Sequence, residues 1–289
     1  MLGSLGTAES LMQQTLSLLH TMGARAKKSL GQHFLIDSGV LRKIVMAAEL
    51  NAQDVVVEVG PGLGVLTSEL VRCAGHVIAV ELDATLASML QDTFATCSNL
   101  RIIQDDILNQ SPPDLFQPEN SRYKVVANLP YYITSAVMRH FLESKCQPEL
   151  MVVMVQKEVA RVITATPGEM SLLSVAVQLY GEPHMVCSVP AGSFYPAPKV
   201  DSAVLKVKVH SQPLIQFDST PEFFTLARAA FCANRKQLPN SLAQGLNRPK
   251  AEMINLLKTA AIESHRRAET LNMTEWVRLW SVFHDKGAL

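Results

Sequence analysis

Asp54-Val55-Val56-Val57-Glu58-Val59-Gly60-Pro61-Gly62-Leu63-Gly64 decides how the rest of the chain is read. A short β-branched run ended by glycines reads as a buried strand. A helical pattern through Leu66, Leu70 and Val71 follows it. A strand that enters a glycine-rich turn and opens a helix lets a backbone approach a nucleotide-like ligand closely. The glycine spacing departs from GxGxxG, because Leu63-Gly64-Val65 stands where the third spacing would fall. The next strand ends Ala79-Val80-Glu81, which places a carboxylate about 20 residues on, where it can accept from two ribose hydroxyls.

Outward from this unit the alternation continues. Residues 100–104 read as a third strand ending at Asp105-Asp106, and residues 123–127 as a fourth ending at Asn128-Leu129-Pro130-Tyr131. Residues 150–155, 185–189 and 202–209 complete a set of seven, with helical patterns at 134–142, 156–163 and 171–180. Strands alternating with helices predict an α/β, Rossmann-like domain with a mostly parallel seven-stranded sheet. No strand-like alternation follows Val209. Helical patterns at 221–231, 250–261 and 274–283, separated by Pro239, Asn240 and the Asn247-Arg248-Pro249 break, predict a small all-helical C-terminal domain. The expected organisation is therefore an extension at 1–24, the α/β domain at 25–210 and the helical domain at 211–289.

A dinucleotide enzyme and an S-adenosylmethionine (SAM) enzyme both fit the glycine unit, and two features separate them. Glu58 lies inside the first strand, where a dinucleotide gains nothing from a carboxylate but the ammonium of a SAM methionine moiety does. Asp105-Asp106 gives a second acidic strand end, suited to an adenine amino group. The Asn128 turn adds the chemistry. Asn128 offers a carboxamide oxygen, and Pro130 fixes φ so that nearby carbonyls point outward. Two acceptors would grip an exocyclic amine such as adenine N6, with Tyr131 as a flat face for the base. An ordinary βα connection with a capping Asn and a core Tyr explains the same four residues equally well.

The chain has 289 residues, 48% of them apolar, and a mean hydropathy of +0.14. These values imply a well-cored globular protein. No apolar run approaches the length of a membrane span. Five scattered cysteines, Cys73, Cys97, Cys146, Cys187 and Cys232, show no metal spacing and read as reduced thiols of a cytosol-like compartment. No metal is expected. The formal charge is zero, but residues 1–184 carry 13 Lys and Arg against 18 Asp and Glu, and residues 185–289 carry 13 against 8. The basic C-terminal part is thus the candidate for phosphate contact, through Arg235-Lys236 and Arg266-Arg267. Residues 1–22 lack the features of a secretory signal and read as a helical or frayed extension. Arg25, Lys27 and Lys28 lead into Gly31-Gln32-His33-Phe34-Leu35, an arm that could touch phosphates and reach a small polar ligand. Phe194 or Tyr195, stiffened by Pro196 and Pro198, could form a second stacking surface opposite Tyr131.

Together these stretches resemble the KsgA/RsmA family of SAM-dependent ribosomal RNA adenine N6,N6-dimethyltransferases. The resemblance covers nearly everything after Gly23. It is carried by the arm ending at Leu35, the loop from Glu58 to Gly64, Glu81, Asp106, the turn from Asn128 to Tyr131, Gln156-Lys157-Glu158-Val159, and the loop from Phe194 to Ser202. It implies that Gln32, His33 and Leu35 border the methionine end of SAM, that Glu58, Gly60 and Gly62 cradle it, that Glu81 and Leu82 hold the ribose side, and that Asp105 and Asp106 meet the adenine. It also implies that Asn128, Leu129, Pro130 and Tyr131, helped by Phe194, grip the target adenine, and that Arg25, Lys27, Lys28, Lys199, Arg235 and Lys236 contact RNA. The expected activity is dimethylation of two adjacent adenosines near the 3′ end of small-subunit rRNA, on a pre-30S-type particle, by a cytoplasmic monomer. An Erm-like large-subunit enzyme, a DNA adenine methyltransferase, and an assembly or transcription factor that retains the SAM fold are the alternatives. One departure stands out: where the family carries consecutive arginines before its lysine, this chain reads Ala233-Asn234-Arg235-Lys236.

Overall fold

A computed structural model describes residues 10–21, 26–27, 30–116 and 122–288. Of the positions singled out above, Arg25 and Lys28 lie outside the described residues. By contact the chain divides into two compact units, residues 1–157 with 185–207, and residues 158–184 with 208–289. Residues 158–184 thus group with the C-terminal helices.

The first unit is built on parallel strands. β1 (Phe34–Leu35) is followed by α2 (Ser38–Ala47), after an N-terminal helix α1 (Leu11–Thr21). Then come β2 (Val55–Val59), α3 (Val65–Cys73), β3 (His76–Glu81), α4 (Ala84–Thr93) and β4 (Leu100–Gln104). β5 (Tyr123–Asn128), α5 (Thr134–Leu142) and β6 (Leu150–Gln156) complete the alternation. β2 pairs in parallel with β3 and β5, β3 with β4, and β5 with β6. With β7 (Gly181–Val189) and β9 (Ser202–Val209), the seven-stranded sheet runs in the order β4-β3-β2-β5-β6-β9-β7. β8 (Phe194–Tyr195) forms a separate antiparallel pair with β1, Phe34 opposite Tyr195.

The apolar runs become strands because both faces of a parallel sheet are covered. Val56, Val57, Val125, Met151 and Val152 are all fully buried. Register then sets the site. Glu58 lies opposite Ala79 and Val126, and Glu81 opposite Gln104. Glu58, Glu81, Asp105 and Asn128 therefore converge at the carboxyl ends of neighbouring strands, where open α/β sheets bind ligands.

The second unit is helical. α7 (Leu172–Gln178), α8 (Thr220–Phe231), α9 (Leu238–Leu246), α10 (Lys250–Thr259) and α11 (Met273–Asp285) supply it, with most of α6 (Lys157–Ile163). Trp276 is fully buried and packs against Phe223 and Phe231. α9 corrects the sequence reading, which took Pro239 and Asn240 as a break. Pro239 instead sits in the first turn of α9, where a missing N–H costs nothing and the fixed φ favours the helix.

Candidate active site

The glycine turn is shaped by backbone that only glycine adopts without strain. Gly60, Gly62 and Gly64 all have left-handed φ, at +67°, +60° and +79°, a conformation costing other residues about 1 kcal/mol or more each. Gly60 N–H donates to the Val80 carbonyl at 2.9 Å, which ties the turn to β3. A side chain on Gly62 would meet the Phe34 ring at 3.4 Å. The turn is thus packed from one side and open on the other.

Two carboxyl groups flank it. Glu58 is buried, and burial pushes its carboxyl up to about 8, with the Glu81 charge reinforcing the rise. Its Oε2 and the hydroxyl of Thr67 are buried without a hydrogen-bond partner. Glu81 is also raised by burial, against which the amides of Asp83 and Gly62 work. These amides donate to its two oxygens at 2.9 and 3.0 Å, which leaves further lone pairs to accept from a ligand.

The arm before β1 closes over this corner. Gln32 accepts from the Lys27 amide at 2.8 Å and donates to Asp83 at 3.2 Å. The Lys27 ammonium pairs with the same Asp83 carboxylate at 2.8 Å. Asp83 also caps α4 by accepting from the Thr85 amide. Burial would raise its pKa, but the hydrogen bonds from Lys27 and Gln32 hold it below the ordinary value. Asp83 was not singled out from sequence. Its only local signal is the helix-cap position after Glu81-Leu82, which says nothing of the contact with Gln32.

The Asn128 turn meets the arm directly. The Asn128 amide nitrogen donates to the His33 carbonyl at 3.1 Å, which fixes the side chain so that its oxygen remains the acceptor. His33 Nδ1 lies 2.6 Å from the Pro196 carbonyl. A carbonyl only accepts, so the proton sits on Nδ1. The His33 ring stacks on Tyr131 with centroids 6.0 Å apart. The Tyr131 hydroxyl is 2.7 Å from that of buried Ser202, and burial raises its pKa.

One cavity brings together Gln32, His33, Leu35, Glu58, Gly60, Gly62, Glu81, Leu82, Asp105, Asp106, Asn128, Leu129, Pro130, Tyr131 and Phe194. Leu82 is 45% exposed, an apolar face beside the Glu81 carboxylate. Phe194 is only 3% exposed, belongs to the apolar cluster with Leu35 and Val40, and also lines the cavity. Asp106 caps a short turn at Ile107–Asn109 by accepting from Leu108 N–H, and Asp105 accepts from the Asp106 amide and from Asn109. Ile107 and Tyr132 also line the cavity and were not anticipated. Among the described residues no group of His, Cys, Asp and Glu could hold a metal.

The sequence profile of the family described as "Ribosomal RNA adenine dimethylase" matches residues 23–279. The chain belongs to that family. The "Ribosomal RNA small subunit methyltransferase A" of Dehalococcoides mccartyi is 53% identical over 276 residues, covering 96% of this chain and 94% of that one. The solved structure of a dimethyladenosine transferase from Plasmodium falciparum superposes with a TM-score of 0.78 at 26% identity, covering 88% of this chain and 98% of that one. The 23S rRNA methyltransferase ErmE superposes at 0.70 with 28% identity, covering 87% of this chain and 99% of that one. An rRNA adenine dimethylase is a SAM-dependent enzyme, and the residues here fit that cofactor. The partnerless Glu58 oxygen can receive an ammonium, the glycine turn admits a close ligand, and Glu81 retains acceptor capacity for a ribose.

The expected RNA contacts that are described fall in both units. Lys27 is engaged by Asp83. Lys199 is exposed in the first unit. In the second unit Arg235 and Lys236 are exposed, with Lys236 donating to Gln244 at 3.0 Å. Arg266, counted among the basic pairs, is held by Glu275 and Thr270 instead.

Proposed function

We propose that this rRNA adenine dimethylase methylates N6 of two adjacent adenosines near the 3′ end of small-subunit rRNA, on a pre-30S-type particle during ribosome biogenesis. We assign it to the cytoplasm as a monomer; no described helix is long and apolar enough to cross a membrane. The observation that carries the assignment of roles is the Asn128–His33 hydrogen bond. It commits the amide nitrogen to the arm and leaves the amide oxygen to the cavity, beside the glycine turn.

The target base leaves its stack at a cost of a few kcal/mol. The Asn128 oxygen and the Leu129 carbonyl accept the two N6 hydrogens, which orients the nitrogen lone pair. Pro130 holds that carbonyl outward, and Tyr131 supplies the wall against which the base lies. Its hydroxyl is held by Ser202, so the ring keeps one orientation. Gln32, His33, Leu35, Glu58, Gly60, Gly62, Glu81, Leu82, Asp105 and Asp106 hold the cofactor, with Asn128 at the border of the two ligands. Bound there, SAM would supply an activated methyl, with N6 gaining the carbon, the sulfur keeping the C–S electron pair and one N6 proton passing to water. Positioning of this kind is worth roughly 7 to 11 kcal/mol. Arg25, Lys27, Lys28, Lys199, Arg235 and Lys236 are the proposed phosphate contacts, Lys27 only when released from Asp83.

The 53% identity to a small-subunit methyltransferase supports this target over the large-subunit one, for which the likeness is 28%. Purified protein, labelled SAM and unmodified small or large subunits, followed by nucleoside analysis, test it directly. Dimethyladenosine should form on small subunits only; label on large subunits would overturn the assignment. Asn128→Ala should nearly abolish transfer with SAM affinity close to normal, and equal loss of both would remove Asn128 from the target side. Glu81→Ala should weaken SAM binding.

A further inference from the structure

Tyr132 is 60% exposed, the most exposed aromatic side chain among the large apolar residues left open to solvent. It is not a stray surface residue. It belongs to the short turn Tyr131–Ile133 that follows Asn128-Leu129-Pro130, and it lines the same cavity. Its ring is backed by Gly31, whose φ is +59° and whose added Cβ would lie 3.5 and 3.6 Å from two ring carbons. One side of the ring therefore rests on Gly31, and much of the rest is open to solvent.

Extruding an adenine has a cost that falls partly on its neighbour. The base left behind loses a stacking partner, and the penalty is of the same order as the stacking an aromatic side chain can return. Tyr131 is the wall for the extruded base. Its chain neighbour Tyr132 stands one residue away, lining the same pocket but largely exposed, with a supported and solvated ring. We propose that Tyr132 is a stacking platform for the nucleotide next to the extruded adenosine, replacing the partner which that nucleotide loses. The ligand is an unpaired RNA base, a purine or pyrimidine π-face, with no hydrogen-bond reading of its identity. The inference rests on the rRNA-methylating function proposed above.

The test uses the full chain, tritiated SAM and unmethylated small subunits. Tyr132→Ala should raise the KM for subunits by about tenfold, as expected for loss of one base stack, while calorimetric SAM affinity stays unchanged. Tyr132→Phe should behave as the wild type. Tyr132→Leu, apolar but without a π-face, should behave as Ala. An unchanged KM in the Ala variant overturns the proposal, as does a Leu variant as good as Phe, or a fall in SAM affinity matching the rise in KM. If the wild-type protein fails to label small subunits at all, the proposed target fails, which is a result distinct from a wild-type-like Tyr132→Ala.

Discussion

Replacing Glu58 by Gln should change how stability depends on pH. The carboxyl is buried and pushed up to about 8 from an ordinary 4.5. A group whose folded pKa is raised contributes stability that is fully present below the unfolded value and lost as pH rises through the folded value. In the unfolded chain Glu58 ionises near 4.5, whereas the folded protein retains its proton until about pH 8. Across that window the wild type therefore loses stability by up to about 1.4 kcal/mol per pH unit, on the order of 5 kcal/mol in all. Glutamine keeps the shape and a polar head but does not titrate. The stability of Glu58→Gln minus that of the wild type should then be flat below about pH 4.5, climb through neutrality and level off above about pH 8. Glu81, also raised by burial, is common to both proteins, so most of its contribution drops out of the difference. Urea unfolding of both proteins, without cofactor, at closely spaced pH values measures the curve. A difference constant with pH would show that Glu58 has the same pKa folded and unfolded and would refute the reasoning.

Three further outcomes follow from the same geometry. If the SAM ammonium settles beside Glu58, binding at neutral pH should release close to one proton, read by calorimetry in buffers of different ionisation enthalpy; Glu58→Gln should release none. Gly64→Ala combines a left-handed φ with a Cβ only 2.8 Å from Leu90 and 2.9 Å from Phe94, and should cost about 2 to 3 kcal/mol in denaturant unfolding as well as weakening SAM binding. Arg266→Ala removes a half-buried pair with Glu275 and should destabilise the protein by about 2 kcal/mol with no change in SAM affinity, since both residues belong to the helical unit.

The sequence by itself determined the seven strands and the residues at their carboxyl ends. Buried parallel strands read as apolar runs, and the polar residue that ends each run is displayed where ligands bind. Glu58, Glu81, Asp105 and Asn128 could be found that way because their position is local. Only the tertiary structure decided what these groups do to one another. The pairing of Phe34 with Tyr195, the Asn128–His33 bond and the grip of Asp83 on Gln32 and Lys27 join segments far apart in the chain. No local pattern records them. The same holds for the ion pair of Lys27 with Asp83 and for the burial of Phe194 among Leu35 and Val40, although Lys27 stays half exposed and Phe194 still lines the cavity. Charge and ring character are written in the sequence, whereas the partner that consumes them is set by which strands become neighbours.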